Sequence, residues 1–254
     1  MDVLSLIGEL TPENLDPVYL LHGPERFLID QAVAKMKQIV VQGPMADFNY
    51  SRFKATELSG SEIVAKASEV PMMAAKRLLL IDDGNRLRTK DLDALDPYLN
   101  QPAPETCLVI VAEKFDLRRG ALSKASRRKQ VHKADLLKRS QVVSFLTSRA
   151  RVRNVSLSQG AASAVIAAIG PNCAALDDAV ERLGLFVGAN NQVTEEAVAQ
   201  VVSNVREHSI FELVDAIGNR SAHGALSLLE GLVAKREEPI RINAMLARHL
   251  RHLL

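Results

Sequence analysis

Two uninterrupted apolar runs, LLLI within RLLLID (77–82) and CLVIV within TCLVIVA (106–112), constrain the fold more than any other feature of this chain. A strand with one wet face alternates polar and apolar residues, whereas one covered on both faces is apolar throughout. Two further strand candidates are VYLL (18–21) and FNYSRF (48–53). Helical patterns separate them: 25–40, 60–70 and a stretch near 89–99. Ser59 and Glu62 have the S-x-x-E spacing of a capping box at the start of the second helix. Alternation of this kind predicts a mostly parallel sheet with right-handed crossovers.

From about Lys138 the strand signals stop. QVVSFLTSRARVR, SLSQGAASAVIAAI, AALDDAVERLGLFV and TEEAVAQVVSNV read as short helices, punctuated by Gly170-Pro171 and by 188–192. Thr194 is placed to cap the helix that begins at Glu195-Glu196. A third helical block begins near Glu207. The expected organisation is therefore α/β then all-α: 1–138, a helical unit at 139–205, and a further one at 206–254. The last residues, HLRHLL, are still amphipathic, which reads as a cut through a larger helical domain.

The first strand runs into Gly23-Pro24 and then a helix, the order of a phosphate-binding loop. Such a loop needs G-x-x-x-x-G-K-[ST], so that backbone amides, a lysine and a hydroxyl can meet phosphates and magnesium. Counted from Gly23, the required positions hold Leu28, Ile29 and Asp30. Asp82-Asp83 lies where a magnesium-binding acid would stand and reads as a solvated acidic strand end. ATP hydrolysis is not expected. No Ser/His/Asp or Cys/His signature is present, so no catalytic residue is assigned. His249 and His252 are i, i+3 without an evident third ligand, and no metal or cofactor is expected. Cys107 and Cys173 are far apart and outside any C-x-x-C, which fits a reducing, cytoplasmic setting. The longest uncharged stretch, 154–176, contains too many polar residues to span a bilayer.

Two segments could bind macromolecules. Met72 and Met73 follow Pro71 in EVPMMAAKRLLLIDD (69–83). On composition they read as core filler, yet two adjacent side chains in a short connector do not readily enter the same core. Exposed methionines there would suit protein contact. The second segment, 117–153, holds 12 of the 32 Lys and Arg residues and one acid, Asp135. Its densest part is Arg127, Arg128 and Lys129, which would contact DNA phosphates or form a solvated face. No aromatic interleaves them, which disfavours a base-stacking platform.

Taken together, VYLLHGPERFLID, PMMAAKRLLLIDD, TCLVIVAEKFDLRRGALSK, LDDAVERLGLF and IFELVDAIGNRSAHGALSLLEGLV resemble the delta subunit family of bacterial DNA polymerase III, in order and spacing from about residue 17 to the end. The resemblance implies an AAA+-like α/β domain with a degenerate phosphate loop, a helical lid and a helical collar, the last apparently incomplete here. It also implies a clamp-loader subunit that binds and opens the sliding clamp for loading onto primed DNA. Such a subunit has no catalytic site of its own but belongs to a DNA polymerase holoenzyme. The implied partners are the sliding clamp (beta subunit), the motor and delta-prime subunits through the collar, and DNA within the heteropentamer. The clamp-binding dipeptide, carried over by motif, is Met72-Met73, where the family often has an aromatic and this chain has none. A free-standing nucleic-acid-binding protein using the basic segment is the alternative.

Overall fold

The computed structural model describes residues 2–202 except 44 and 119, and beyond them 213, 216–218, 221–234, 239, 242–243 and 246–247. The chain divides into two compact units, 1–138 and 139–254. The expected boundary near 206 and the pair His249 and His252 lie outside the described residues.

The first unit is built on β1 (Val18–His22), β2 (Tyr50–Lys54), β3 (Arg77–Asp82), β4 (Thr106–Ala112) and β5 (Val131–Lys133). They form one sheet in the order β2-β3-β4-β1-β5, with every pairing parallel. β1, β3 and β4 are buried along their whole length, as their apolar runs require. The helices are α1 (Val3–Glu9), α2 (Arg26–Val40), α3 (Gly60–Ala67), α4 (Thr89–Asn100) and α5 (Gly120–Arg127). Leu20, Leu79, Ile81, Leu108 and Ile110 share one core with Ile63 of α3, Leu95 and Leu99 of α4 and Leu122 of α5. The predicted capping box forms in full, with Ser59 Oγ accepting from the Glu62 N–H and Glu62 Oε2 accepting from the Ser59 N–H. Neither α1, α5 nor β5 stood out in the sequence, the two helices because each has only about two turns and β5 because it has three residues.

The second unit contains α6 (Arg139–Val152), α7 (Gln159–Ile169), α8 (Cys173–Val187), α9 (Glu195–Val201) and α10 (Ala222–Ala234). Ser158, Asn172 and Thr194 cap α7, α8 and α9 with their side-chain oxygens. Gly170 and Gly188 end α7 and α8 at positive φ. The expectation that strands end at 138 needs correction. β6 (Ser156–Leu157) pairs in parallel with β7 (Gln192–Val193). Each segment runs straight into an extended N-cap, so the chain approaches both helices as strand. The Ser158 N–H donating to the Val193 carbonyl closes the ladder at 3.1 Å. Two residues are too short for a periodicity to register.

His132 of β5 is 4 % exposed, and neither ring nitrogen has a hydrogen-bond partner among the described residues. It packs beside Tyr19, with ring centroids 5.5 Å apart. Burial pushes its pKa down to about 4, and burial also lowers that of His22. Because the native His132 pKa lies below the unfolded one of about 6.5, the unfolded chain binds more protons in between. The neutral ring's contribution is present above pH 6.5 and lost as pH falls toward 4. Denaturant midpoints should therefore be flat above about pH 6.5 and fall below it, with His132 accounting for roughly 1–3 kcal/mol after allowance for screening. A His132→Phe variant that keeps the full slope between these values would refute the assignment.

Candidate functional site

The degenerate loop lies at the carboxyl end of β1, where an open parallel sheet ordinarily receives its ligand. The chain's own groups occupy its hydrogen-bonding positions. The Gly23 N–H donates to the Glu113 carbonyl, that of Glu25 to the Ala134 carbonyl, and that of Arg26 to the Pro24 carbonyl, each at 3.1 Å. Pro24 has no N–H to offer. Gly23 is required because its φ is +140° and a Cβ there would lie 2.2 Å from the Ala134 carbonyl oxygen.

Asp82 is buried rather than solvated, which corrects the sequence expectation for this residue. It accepts from Arg52 Nε at 2.5 Å and from Arg26 Nη2 at 3.4 Å, while Arg26 Nε reaches Asp30 at 2.9 Å. The hydrogen bond to Asp82 raises the pKa of the Arg52 guanidinium further. Asp83 alone is exposed, at a left-handed φ of 56°. Thus the acid positioned for a metal is neutralised by two arginines. Among the described residues no group of three or more His, Cys, Asp or Glu side chains could hold a metal ion.

The opposite, amino-terminal end of the sheet is arranged for display. Met72 is 49 % exposed and Met73 is 88 % exposed, so neither is core filler. Met73 has a φ of 50°, a left-handed backbone that costs an unbranched residue roughly 1 kcal/mol. Tertiary bonds hold the segment in place. Asn49, 1 % exposed, donates through Nδ2 to the Met72 carbonyl at 2.8 Å and accepts the Met72 N–H on Oδ1 at 2.7 Å. The same Nδ2 reaches the Met45 carbonyl at 3.2 Å. Glu69 pairs with the buried guanidinium of Arg77, and Lys76 Nζ donates to the Leu15 carbonyl at 2.9 Å. Sequence reasoning missed Asn49 because it lies 23 positions from its partner and no local motif marks it.

Six of the twelve cations of the basic segment face carboxylates of the same chain. Arg118 pairs with Asp116 and Lys133 with Asp135, while Lys124 and Arg128 both face Asp96, Arg128 at 3.8 Å. In the second unit Arg149 and Arg153 converge on the buried Asp177, and Arg153 also reaches Glu181. Of the three residues singled out for DNA, Arg127 and Lys129 are exposed and Arg128 is half-buried. The structure therefore does not present all three alike. No described helix is long and apolar enough to cross a membrane.

Comparison with known proteins agrees with this architecture. The family described as DNA polymerase III, delta subunit matches residues 19–145, and its C-terminal domain family matches 207–254. DNA polymerase III subunit delta of Bacillus subtilis (strain 168) is 27% identical over 262 residues, covering 99% of this chain and 76% of that protein. The probable DNA polymerase III subunit delta of Aquifex aeolicus (strain VF5) is 21% identical over 242 residues, covering 91% and 67%. The solved structure of the Bacillus subtilis DNA clamp loader delta protein superposes with a TM-score of 0.73 at 25% identity, over 98% of this chain and 76% of that one. The chain belongs to the DNA polymerase III delta subunit family, and its α/β sheet followed by helices is the fold of a clamp-loader delta protein.

Proposed function

We propose that this clamp-loader subunit binds the sliding clamp through Met72 and Met73 and holds it open without hydrolysing ATP. The observation that carries the reading is the display of two adjacent methionines on a connector fixed by buried hydrogen bonds from Asn49. A water-exposed apolar pair, with Met73 in a left-handed backbone, is unfavourable in the free chain and favourable once a partner covers it.

A closed ring clamp is held shut by its own interfaces. A subunit that binds the open form more tightly than the closed one shifts that equilibrium by the difference in affinity, and hydrolysis is not needed for the shift. Internal closure of the Gly23 turn and neutralisation of Asp82 fit a subunit that keeps an ATPase-like frame for assembly and leaves ATP chemistry to its neighbours. In this reading residues 1–138 engage the clamp, 139–205 form the lid, and 206–254 join the motor and delta-prime subunits. DNA within the assembly would meet the exposed Arg127 and Lys129, with Arg128 contributing less. A free-standing nucleic-acid-binding protein is the weaker reading, because carboxylates of the chain hold many cations of 117–153.

Calorimetry with the cognate sliding clamp, in the absence of nucleotide, tests the reading. The parent chain should bind, and the Met72→Ala/Met73→Ala variant should bind about 100-fold more weakly or not at all, as expected when two anchors are lost. Its melting temperature should stay near that of the parent, since Met73 is largely and Met72 about half in water. Failure of the parent to bind would remove the proposal.

Millimolar ATP with magnesium should leave the thermal midpoint of the isolated chain unchanged, because a ligand stabilises only the state it binds. A shift of several degrees would show that the Gly23 turn opens to accept nucleotide.

A further inference from the structure

The dipeptide Met72-Met73 lacks an aromatic, yet the structure places an exposed aromatic close to it in the fold. Of the six large apolar side chains exposed among the described residues of 1–138, five lie in two short segments: Met45 and Phe48 in one, Val70, Met72 and Met73 in the other. The sixth is Leu136. Phe48 is 65 % exposed, and no other aromatic of that unit is among the exposed large side chains.

The topology brings these segments together. β2 and β3 are adjacent and parallel, with Tyr50 opposite Leu78. The residues just before β2 and the connector before β3 therefore emerge at the same, amino-terminal end of the sheet. Asn49 ties them directly, since its one side-chain amide bonds Met72 on one side and Met45 on the other. Phe48 precedes Asn49 in a 3-10 turn (Ala46–Asn49), and its N–H donates to the Met45 carbonyl at 3.2 Å. The turn is thus set before any partner arrives, which reduces the ordering cost of binding.

We propose that Phe48 is a contact residue for the sliding clamp, supplying from the 45–49 turn the aromatic that the Met72-Met73 dipeptide lacks. This rests on the reading of Met72-Met73 as the clamp-binding element. The partner follows from continuity. Asn49 holds both segments together, so a protein that covers the methionines comes beside the turn that carries the exposed Phe48. A phenyl ring there provides a large, rigid apolar contact, and aromatic side chains are enriched among the anchors of protein interfaces. The methionines, unbranched and adaptable, complete the surface around it.

The test measures clamp affinity of the full chain by calorimetry for five proteins: the parent, Phe48→Ala, Phe48→Tyr, Met72→Ala/Met73→Ala, and Phe186→Ala. Phe186 is an exposed aromatic of α8 in the other unit and serves as a control. Phe48→Ala should raise Kd about 10- to 30-fold, the loss expected for an aromatic anchor, with an unchanged thermal midpoint. Phe48→Tyr should bind nearly as the parent does, and Phe186→Ala should have no effect. If Phe48→Ala stays within about twofold of the parent, below the threshold of an interface anchor, while the methionine variant loses binding, the Phe48 contact is overturned and the Met72-Met73 reading stands. Equal weakening by Phe186→Ala would reveal non-specific association and overturn the contact as well. A parent that does not bind overturns both.

Discussion

Burial of β3 between two neighbours and under helices on both faces is the constraint on which the rest of this structure depends. Leu78, Leu79, Leu80 and Ile81 are each no more than 2 % exposed, and β3 pairs with β2 on one side and β4 on the other. Its two ends are thereby fixed in space with opposite tasks. Asp82 at the carboxyl end meets Arg26 and Arg52 near the degenerate loop. Arg77 at the amino end takes Glu69 and anchors the connector that displays Met72 and Met73. A central strand free to slide would misplace both ends, and register slips are strongly disfavoured where both faces are buried.

The carboxyl end of the sheet shows what stands where a phosphate loop would need open amides and a free acid. A phosphate loop works because its amides and its lysine have no partner until the ligand arrives. Here the amides of Gly23, Glu25 and Arg26 already donate to carbonyls of the chain, and the acid that would hold magnesium is matched by guanidinium groups. Each substitution is unremarkable alone. Their sum is an internally satisfied turn.

Electrostatics in the basic segment follow the same pattern. Twelve cations within 117–153 suggest a polyanion partner when read along the chain. In space, Asp96, Asp116, Asp135, Asp177 and Glu181 face many of them, and four of these five acids lie outside the segment. A count of charges along a sequence omits partners that the fold brings from elsewhere. Partly buried pairs such as Arg149 of α6 with Asp177 of α8 serve the packing of the two helices as much as they could serve any ligand.

The sequence by itself determined the four longer strands, most of the helices and the caps at Ser59 and Thr194, because these depend on neighbours within about five positions: apolar runs, the Ser59–Glu62 box, and the glycines that end α7 and α8. It also showed that the Gly23 turn lacks the residues of a phosphate loop, since a missing lysine is legible without coordinates. Tertiary structure decided what no short window holds. It made Asp82 buried and paired, exposed Met72 and Met73, and brought Asn49, the neighbour of Phe48, to a connector more than 20 residues away. It also formed the two-residue ladder of β6 and β7, whose extended shape comes from the caps that follow. The physical reason is common to all of these. Local propensity acts along the chain, whereas burial, ion pairing and exposure are set by which distant groups arrive beside a residue when the sheet closes.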